Sequence, residues 1–408
     1  MRRGILNEKR SELVRMPRIL YVCPDEGIDI FGTRGCSTHV REICRAFKSL
    51  GCDLKLLLAG ECGPPDSAFD IEHEMVAPFR SKKLGYDVRK VLTNRRLLKR
   101  LQEVVVDFRP DLIYERYDLY SAATARVASG NEIPYLLEVN APLIDEQRDI
   151  LHFPRIAATY QRHTFCKADL LIGVSDEICS MLKRIAPNSR VLLVENGVNE
   201  EVFDAGVSGA GVRERHGLND QMVVGFVGSL KGWQGVRTLI RAASVLLAQR
   251  DNLSFLVVGG GNNLPIYKQL VNEARLQERF SLIRPAHHAE IPSYIAAFDI
   301  CVAPYDPMPK FYFSPIKLAE YISMRKAIVA SDVPAIRKNF RHGVDALLAK
   351  PGDAQDLAAK IGNLLDEPAL RERLARSAHE RFAGNLSWSN CAQKILEAAE
   401  DIPRRESS

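Results

Sequence analysis

The sequence predicts an α/β protein with two halves, each built around a parallel β-sheet that helices cover on both faces. Short, mostly apolar runs such as Arg18–Cys23 and Met222–Val227 alternate with longer helical patterns, and this alternation is typical of parallel sheets. The alternation is interrupted at Val191–Phe203 (VLLVENGVNEEVF), which reads as a strand, an Asn-Gly turn and an acidic loop, and then it restarts. Ligands of such sheets bind beyond the carboxyl ends of the strands, so we expect a binding cleft between two domains.

The individual elements follow from the same alternation. In the first half we predict a helix over Ser37–Leu50 and strands at Arg18–Cys23, Asp53–Ala59, Asp111–Tyr114, Tyr135–Val139 and Leu170–Val174. In the second half we predict a helix over Gly235–Gln249 and strands at Met222–Val227, Leu253–Val258, Phe280–Ile283, Ile300–Ala303 and Ala327–Ala330. The chain then divides into a flexible extension (1–16), an N-terminal domain (17–200), a C-terminal domain (201–385) and a final segment (386–408). An amphipathic helix in that final segment, Ser389–Glu400, is expected to cross back to the first domain.

Composition excludes several classes of protein. A chain of 408 residues is long enough for two or three domains, and 46% apolar residues are typical of a globular protein. The nine cysteines are dispersed and form no C-x-x-C pair, which argues against a disulfide framework or a zinc site and fits a reducing compartment. No run approaches the ~18 apolar residues of a membrane span, and the basic N-terminus lacks the apolar core of a secretory signal. We therefore expect a cytoplasmic protein.

The stretch Phe311–Tyr321 (FYFSPIKLAEY) gives the strongest indication of a ligand. Ser314 and Pro315 predict a helix N-cap and a first helical position. Lys317 then lies in the first turn, where the helix dipole favours acidic residues, so a cation there indicates an anion bound at the helix N-terminus. Glu320 lies one turn further along on roughly the same side and is suited to hold a sugar diol. The alternative is an ordinary capped helix whose lysine and glutamate are solvated.

Three glycine-containing loops each follow a predicted strand and precede a helix, which is where phosphate groups bind in α/β proteins. In the loop before the first helix, Gly35 permits close backbone approach, and His39 follows in the first helical turn. In Gly228–Gly235 (GSLKGWQG), Lys231 is placed to reach a phosphate. The third loop, Gly259–Gly261, does not complete the dinucleotide fingerprint. The alternative for each loop is a plain connection, with a structural histidine and a solvated lysine.

Polar residues also stand at the ends of two neighbouring strands of the first half. Arg116 stands at the end of the predicted strand Asp111–Tyr114. Glu138 and Asn140 stand at the end of the next predicted strand, Tyr135–Val139. Side chains at the carboxyl ends of parallel strands point into the cleft, so these three residues are candidates for contact with a ligand.

Nine basic residues concentrate between Arg80 and Arg100, against a single acid, Asp87. Apolar residues at helical spacing accompany them, so the segment predicts a basic amphipathic helix, which can lie on an anionic membrane surface. The alternative is the solvated face of a packed helix. Nucleic acid is not an expected partner, because the segment belongs to no recognised nucleic-acid-binding module.

Taken together, these motifs resemble the family 4 glycosyltransferases of the GT-B fold, from about Arg18 to Leu396. The resemblance is carried, in order, by the Gly35–His39 loop, VENGVNEEVF, FVGSLKGWQGVRTLI, PAHHAEIPSYIAAFDICVAPY, FYFSPIKLAEYISMRKAIVASDVPAI and the pattern ending near Trp388. The combination of GS-x-K-x-W with SP-x-K-x-x-E is similar to a subgroup found among bacterial polysaccharide and glycolipid transferases. The implied fold consists of two Rossmann-like domains that face each other across a cleft.

The resemblance implies a retaining glycosyltransferase that uses a nucleotide-sugar donor, with UDP or GDP as the nucleotide, and no metal or other cofactor. The implied acceptor is a polysaccharide, a glycolipid or another glycoside, such as a lipid-linked glycan. The expected location is cytoplasmic, with contact to the inner face of an anionic membrane through Arg80–Arg100. The cleft is expected to close by hinge motion near Asn196–Phe203.

The resemblance also implies roles for individual residues. The implied donor-binding residues are Gly35, Ser229, Lys231, Gly260, Arg284, Ser314, Pro315, Ile316, Lys317 and Glu320. The implied catalytic residues are His39, Asn140, Lys231, Lys317 and Glu320, and the implied acceptor-binding residues are Arg116, Glu138 and Asn140. Within these sets, Glu320 matches the final acid of the family's E-x7-E motif and would hold the ribose hydroxyls. The backbone of residues 314–316 would meet the diphosphate, Lys231 would bind a phosphate, and Arg284 lies in the nucleobase loop.

The sequence departs from the family pattern at four positions. The first acid of the E-x7-E motif is replaced by Tyr312, the usual arginine of the G-R-L motif by Ser229, and the usual lysine of the K-G pair by Gln234. Asn140 stands where many members carry a histidine. These departures keep one alternative open, a catalytically weak or inactive GT-B protein that binds a sugar nucleotide.

Overall fold

The structure is a computed structural model that describes residues 16–60, 63 and 69–402. Most of the predicted extension at residues 1–16 and the last six residues, 403–408, lie outside the described residues. The described residues form two parallel sheets, one of seven strands and one of six, each accompanied by helices. The predicted fold of two Rossmann-like α/β domains is thereby confirmed.

The N-terminal domain contains seven strands and six helices in its described residues. They are β1 (Arg18–Cys23), α1 (Gly35–Ser49), β2 (Asp53–Ala59), β3 (Glu72–Val76), α2 (Tyr86–Phe108), β4 (Leu112–Arg116), α3 (Ala123–Gly130), β5 (Tyr135–Val139), α4 (Leu143–Glu146), α5 (Pro154–Lys167), β6 (Leu170–Gly173), α6 (Asp176–Ile185) and β7 (Val191–Leu193).

The C-terminal domain follows the same plan. Its elements are α7 (Ala210–Arg215), β8 (Met222–Val227), α8 (Val236–Leu247), β9 (Leu253–Val258), α9 (Leu264–Glu273), β10 (Phe280–Ile283), α10 (Ile291–Ala297), β11 (Ile300–Ala303), α11 (Ile316–Ser323), β12 (Ala327–Ser331), α12 (Pro334–Asn339), β13 (Leu347–Ala349), α13 (Ala354–Asp366) and α14 (Pro368–Phe382). Short 3-10 turns occur at Gly232–Gln234 and His288–Glu290, and a last helix, α15, spans Trp388–Glu400.

The strand order of each sheet indicates where a ligand is expected to bind. The N-terminal sheet runs β3-β2-β1-β4-β5-β6-β7, and the C-terminal sheet runs β10-β9-β8-β11-β12-β13. The order reverses between β1 and β4 in one domain and between β8 and β11 in the other. In open α/β sheets, ligands bind at such switch points, beyond the carboxyl ends of the strands. The loops that follow these four strands are therefore the expected ligand-binding loops.

The central strands are buried on both faces, as their apolar sequences predict. Leu20 and Val22 of β1 pack into an apolar cluster that includes residues of α2. Ile19, Tyr21 and Cys23, which point to the other face of the sheet, pack into a second cluster with α1 and α15. The C-terminal sheet separates two further clusters in the same way. Among the described residues, none of the helices combines the length and the apolar character that crossing a bilayer requires.

Two chain crossings connect the domains and lie side by side. The linker at Glu195–Asn199 passes from the first domain to the second, and the chain returns at Leu386–Trp388. Val198 N donates to the Leu386 carbonyl over 2.6 Å, and Trp388 N donates to the Val198 carbonyl over 3.2 Å. Helix α15 then packs on α1 in the N-terminal core. We call these two paired crossings the hinge.

One glycine of the loop after β8 is required by both its backbone angle and its surroundings. Gly235 has φ +73°, and a Cβ built there would lie 1.6 Å from the carbonyl oxygen of Pro304. Gly217 has a similar φ of +66°, but a Cβ there would meet nothing within 4 Å. A side chain at position 217 would therefore cost backbone strain alone, whereas one at position 235 would cost backbone strain and a steric clash.

We predict that Gly217→Ala destabilises the protein by about 1 kcal/mol, the cost of a left-handed alanine, and that Gly235→Ala costs at least about 3 kcal/mol. Differential scanning calorimetry of the whole chain measures both. Equal shifts for the two variants would contradict the packing of this loop against Pro304.

Candidate functional site

Helix α11 begins at the cleft, but its first turn is built differently from the prediction. The N-cap position is Pro315, and no side chain caps the helix, so the prediction of Ser314 as N-cap and Pro315 as first helical residue is wrong. The Ser314 hydroxyl instead accepts a hydrogen bond from Asn196 N, and the Ser314 carbonyl accepts one from Asn196 Nδ2, both over 2.8 Å. Ile316 packs against the core of the N-terminal domain. The electropositive end of α11 therefore faces the opposite domain at the hinge, and its first amides remain without side-chain caps.

Lys317 is buried rather than solvated. Its Nζ donates to Gln234 Oε1 over 2.7 Å and lies 3.8 Å from the centre of the Phe226 ring. No carboxylate lies within 4 Å of this ammonium in the described part of the chain. Burial lowers the pKa of Lys317 to about 7, while the negative charge of Glu320 opposes that shift. A buried ammonium without an anionic partner is unfavourable, so this position is suited to receive an anion.

The loop after β8 lies directly over Lys317. A Cβ on Gly228 would stand 2.8 Å from Lys317 Nζ, and a Cβ on Gly259 would stand 1.8 Å from the Gly228 carbonyl oxygen. Gly260 packs against the ring of Pro285 in the same manner. The glycines at 259 and 260 are thus explained by close packing between loops. Their effect is to bring the loops after β8, β9 and β10 together above the lysine.

Four other predicted donor residues are exposed at the edges of the cleft. Ser229 and Lys231 are exposed in the loop after β8, and Arg284 is exposed just after β10. Gly35 is the first residue of α1, and a Cβ there would meet nothing within 4 Å. The first turn of α1 contains no acidic residue and has no side-chain cap. These positions are open to solvent and accessible to a ligand.

Glu320 lies on the same side of α11 as Lys317 and is almost fully buried. Its Oε1 lies 3.6 Å from His288 Nε2, and that nitrogen has no hydrogen-bond partner among the described residues. Sequence analysis assigned no role to His288, although it belongs to the PAHHAEIP motif that carried part of the resemblance. The carboxylate and the imidazole form a polar pair beside the buried lysine.

His39 does not lie in the open cleft. Its side chain is 3% exposed, with Nε2 2.9 Å from Glu138 Oε1 and Nδ1 3.4 Å from Asn196 Oδ1. Its ring also meets the Trp388 ring edge to face at 5.1 Å. Burial, followed by the charge of Arg116, lowers the pKa of His39 well below its usual value. The ring thereby joins α1, β5 and the hinge, and the catalytic role of His39 stays a prediction.

The three predicted acceptor residues occupy one small region at the ends of β4 and β5. Glu138 is internal, and burial raises its pKa. Arg116 and Asn140 are partly exposed, and neither Arg116 Nη1 nor Asn140 Nδ2 has a hydrogen-bond partner among the described residues. Arg116 Nη1 is 4.0 Å from Glu138 Oε2. Both nitrogen atoms are buried although their residues are partly exposed, and the side chain of Asn140 acts on Glu138 and opposes the rise of its pKa.

An aromatic contact joins the two motifs on which the resemblance depends. Trp233 of the loop after β8 stacks on Phe313, with ring centres 4.0 Å apart and an angle of 7°. Phe313 belongs to the segment Lys310–Ser314, which we call the bridging segment because it also contacts the N-terminal domain. Ser175 Oγ donates to the Tyr312 carbonyl over 2.8 Å, and Lys310 Nζ lies 3.8 Å from Glu177 Oε1. Sequence analysis did not predict Trp233 as part of the site, although the GS-x-K-x-W pattern contains it.

A cavity of about 270 Å³ also lies between the domains, but on the other face of α11. Leu318, Ala319 and Ile322 line it, whereas Lys317 and Glu320 do not. Its other walls include α12, the bridging segment, the start of α6 and part of the hinge. The cavity is therefore separate from the side chains of Lys317 and Glu320, although Ser314 and Asn196 also line it. No cluster of three or more residues of the types that ligate metals was found among residues 16–60, 63 and 69–402.

Comparison with known proteins identifies the two domains. Residues 34–197 match the glycosyl transferase 4-like domain, and residues 221–367 match the family of glycosyl transferases group 1. The two matches together span most of the chain, one in each domain. The chain belongs to the GT-B glycosyltransferases. The family expected from the sequence motifs is confirmed at this level.

Solved glycosyltransferases share the architecture of this GT-B protein. HepE from Anabaena, in complex with UDP and glucose, superposes with a TM-score of 0.75 at 18% identity, covering 95% of this chain and 100% of that one. Sucrose-phosphate synthase from Thermosynechococcus elongatus gives a TM-score of 0.73 at 19% identity, covering 94% of this chain and 99% of that one. At these identities the likeness establishes the fold.

Curated relatives of the GT-B protein include sugar transferases. Alpha-D-kanosaminyltransferase from Streptomyces kanamyceticus is 27% identical over 271 residues, which cover 64% of this chain and 69% of that protein. D-inositol 3-phosphate glycosyltransferase from Thermobispora bispora is 31% identical over 222 residues, which cover 52% of this chain and 50% of that protein. The matched part of the chain thus spans between half and about two thirds of these relatives.

The pKa of Lys317 predicts how ligand binding depends on pH. A bound diphosphate favours the charged ammonium and raises this pKa from about 7. Binding then takes up a proton, so the affinity is highest below about pH 7 and decreases as the pH rises above it, by up to about tenfold per pH unit. Calorimetric titration with UDP-glucose, whose phosphates do not titrate between about pH 6 and pH 9, measures this dependence.

The controls separate Lys317 from its neighbours. Lys317→Met should weaken binding and abolish the pH dependence, whereas Lys231→Met and His288→Gln should retain it. An affinity of the unmodified protein that does not change with pH would show that Lys317 does not meet the phosphate groups.

Proposed function

We propose that the protein transfers a sugar from a nucleoside-diphosphate sugar to a hydroxyl group of an acceptor, with retention of configuration and without a bound metal. The observation that carries this proposal is the buried Lys317 ammonium, which lacks a carboxylate partner in the described structure and adjoins the N-terminus of α11. A diphosphate supplies the missing negative charge and accepts hydrogen bonds from the helix amides. The relatives named above are transferases, which favours an enzyme over a protein that only binds sugar nucleotides.

UDP is the first choice of nucleotide, because HepE was solved with UDP and glucose and also with UDP-glucose. In this assignment Glu320 accepts hydrogen bonds from the ribose, and Lys231 and Lys317 hold the diphosphate. The Ser314–Ile316 backbone faces the distal phosphate, and Arg284 lies beside the base. Arg116 and Asn140 contact the acceptor, a glycan or a lipid-linked glycoside. The relatives include a kanosaminyltransferase and D-inositol 3-phosphate glycosyltransferases, so small polyhydroxylated acceptors such as an inositol phosphate belong in the same acceptor panel.

The proposed reaction needs no base from the protein. As the bond between the anomeric carbon and the phosphate oxygen breaks, negative charge develops on the departing diphosphate. Preorganised cations and amides stabilise that charge most where water is excluded, as around Lys317. The acceptor hydroxyl attacks from the side of the leaving group, and its proton passes to the departing phosphate oxygen. His39 is the one histidine that was predicted as a catalytic group, and it is buried. Its burial is consistent with a route that needs no histidine as a base.

We predict that Lys317→Ala and Lys231→Ala each reduce turnover by about 10²–10³. The measurement is product formation from UDP- and GDP-sugars with a panel of glycoside acceptors, and proton NMR of the product reports the anomeric configuration. Lys268→Ala, an exposed lysine of α9, is the control and should leave turnover unchanged. Unchanged turnover in both site variants would refute the phosphate assignment, and binding without product would favour the inactive alternative.

The basic segment Arg80–Arg100 combines exposed cations with cations that are paired inside the N-terminal domain. Lys90 pairs with Asp118 over 2.5 Å in a buried position, Arg96 donates to the carbonyl oxygens of Ala77 and Pro78, and Arg100 pairs with Glu74 and Glu103. Membrane contact through this run stays a prediction, to which these three paired residues do not contribute. Much of α2 is a packed helix, as the alternative interpretation held.

A nearby apolar surface is better suited to a membrane. Asp87 accepts hydrogen bonds from the backbone N–H groups of His152 and Phe153 over 2.9 and 3.2 Å, which holds the start of α2 against the start of α5. This contact gathers exposed apolar side chains, which we call the apolar face: Leu84, Val88, Ile150, Phe153 and Ile156. Exposed Lys82, Lys83 and Arg155 flank it. We propose that the apolar face contacts an anionic membrane.

The double variant Phe153→Ser/Ile156→Ser should abolish binding to vesicles that contain phosphatidylglycerol at low salt, because the apolar contact is lost. Flotation of the protein with vesicles measures the binding. Val106→Ser is the matched control, since Val106 is 67% exposed elsewhere on α2, and it should bind like the unmodified protein. A chain that fails to bind at low salt, or a double variant that still binds, would contradict this assignment.

A further inference from the structure

A hydrogen bond crosses the cleft between the two domains next to the proposed donor site. The Tyr312 phenol of the bridging segment donates to Glu146 Oε1. Glu146 is the last residue of α4, the short helix that follows Asn140. Tyr312 is fixed on its other sides, because its carbonyl accepts from Ser175 Oγ over 2.8 Å and its ring lies 4.0 Å from that of Phe313. Tyr312 is therefore held between Phe313 of its own segment and Ser175 of the N-terminal domain, and its phenol meets a carboxylate of the N-terminal domain.

The proposed function predicts which part of the donor lies beside Tyr312 and Glu146. With the diphosphate at the N-terminus of α11, the sugar on its distal phosphate must extend beyond that end of the helix. It then lies between the bridging segment, which immediately precedes α11, and the facing residues of the N-terminal domain from Asn140 to Glu146. A sugar presents several hydroxyl donors, and ionised carboxylates are strong acceptors for them.

Glu146 is a carboxylate that remains available in this region. Asp145 is paired with Arg148 at 3.4 Å, Glu177 with Lys310 at 3.8 Å, and Glu138 is internal beside His39. The Glu146 side chain is exposed, and within the described part of the chain it forms no hydrogen bond other than the one with Tyr312. Its second oxygen is thus open to a ligand, while Tyr312 fixes the first.

We propose that Glu146 recognises the hydroxyl groups of the donor sugar and that Tyr312 is its positioning residue from the opposite domain. This inference rests on the proposed function, because it places the sugar relative to the diphosphate. Burial, followed by the hydrogen bond to Glu146, raises the pKa of Tyr312, so the phenol stays protonated and remains a donor at neutral pH. Because the bond joins the two domains, Tyr312 fixes this carboxylate only while the bridging segment lies against the N-terminal domain.

The test compares binding of a nucleotide sugar with binding of its own nucleoside diphosphate. UDP-glucose, UDP-galactose, UDP-N-acetylglucosamine and GDP-mannose are titrated into the unmodified protein, and the tightest of the four is used with UDP or GDP as its partner. Glu146→Gln and Tyr312→Phe should each weaken the nucleotide sugar about tenfold or more, while the nucleoside diphosphate binds within about twofold of its original affinity. Tyr312→Phe retains the ring and its packing on Phe313, so the fold is preserved.

Two further variants make the result specific. Asp145→Asn, an adjacent acid on α4, should leave both affinities unchanged. The double variant Glu146→Gln/Tyr312→Phe should be no weaker than Glu146→Gln alone, because Tyr312 acts through that carboxylate. Equal weakening of both ligands in the single variants, or no weakening of the nucleotide sugar, would overturn the inference while leaving the donor site intact. An unmodified protein that binds neither ligand would overturn the donor site as well.

Discussion

The ammonium of Lys317 is the constraint around which the C-terminal site is arranged. It is held by an amide oxygen and an aromatic ring rather than by a carboxylate, so its charge is only partly compensated. A carboxylate partner at this position would already neutralise the ammonium, so an anionic ligand would gain little there. Full solvation would instead screen the charge. The glycine at 228 lets the overlying loop lie against the lysine, and the stacking of Trp233 on Phe313 joins that loop to the bridging segment. The cation, the loop and the start of α11 thereby form one unit.

A continuous set of polar contacts connects this unit to the opposite domain. Glu138 at the end of β5 contacts His39, His39 contacts Asn196 in the hinge, and Asn196 bonds twice to Ser314 immediately before α11. The floor of the proposed acceptor site and the start of the proposed donor helix therefore share one chain of side chains through the hinge. Rotation of the domains cannot move one end of this chain without changing contacts at the other. Such a hinge is suited to a reaction in which both substrates must be enclosed together.

The fold was predictable wherever burial made a strand apolar along its whole length. Strands β1, β5 and β8 to β11 have the predicted bounds, because a parallel strand covered on both faces leaves a continuous apolar run in the sequence. Strand β3 (EHEMV) was missed because it lies at the edge of its sheet, where polar residues are tolerated. The site was less predictable, since its geometry depends on distant partners. Lys317 donates to a glutamine 83 residues away, and the Ser314 hydroxyl accepts from a backbone amide 118 residues away. Neither hydrogen bond produces a recognisable pattern in the neighbouring sequence.

At two positions where the sequence departs from the family motifs, the structure supplies the missing charge from another element. The usual lysine of the K-G pair is absent at Gln234, yet the Lys317 ammonium lies 2.7 Å from the side-chain oxygen of that glutamine. The positive charge is present at the loop but is supplied by α11. Similarly, the acid missing at Tyr312 is matched by a carboxylate that contacts the Tyr312 phenol from the other domain. Electrostatic stabilisation depends on where a charge lies and how firmly it is held, not on which element carries it. A motif with substituted residues is therefore weak grounds for inferring an inactive protein when the same charges are restored from elsewhere in the fold.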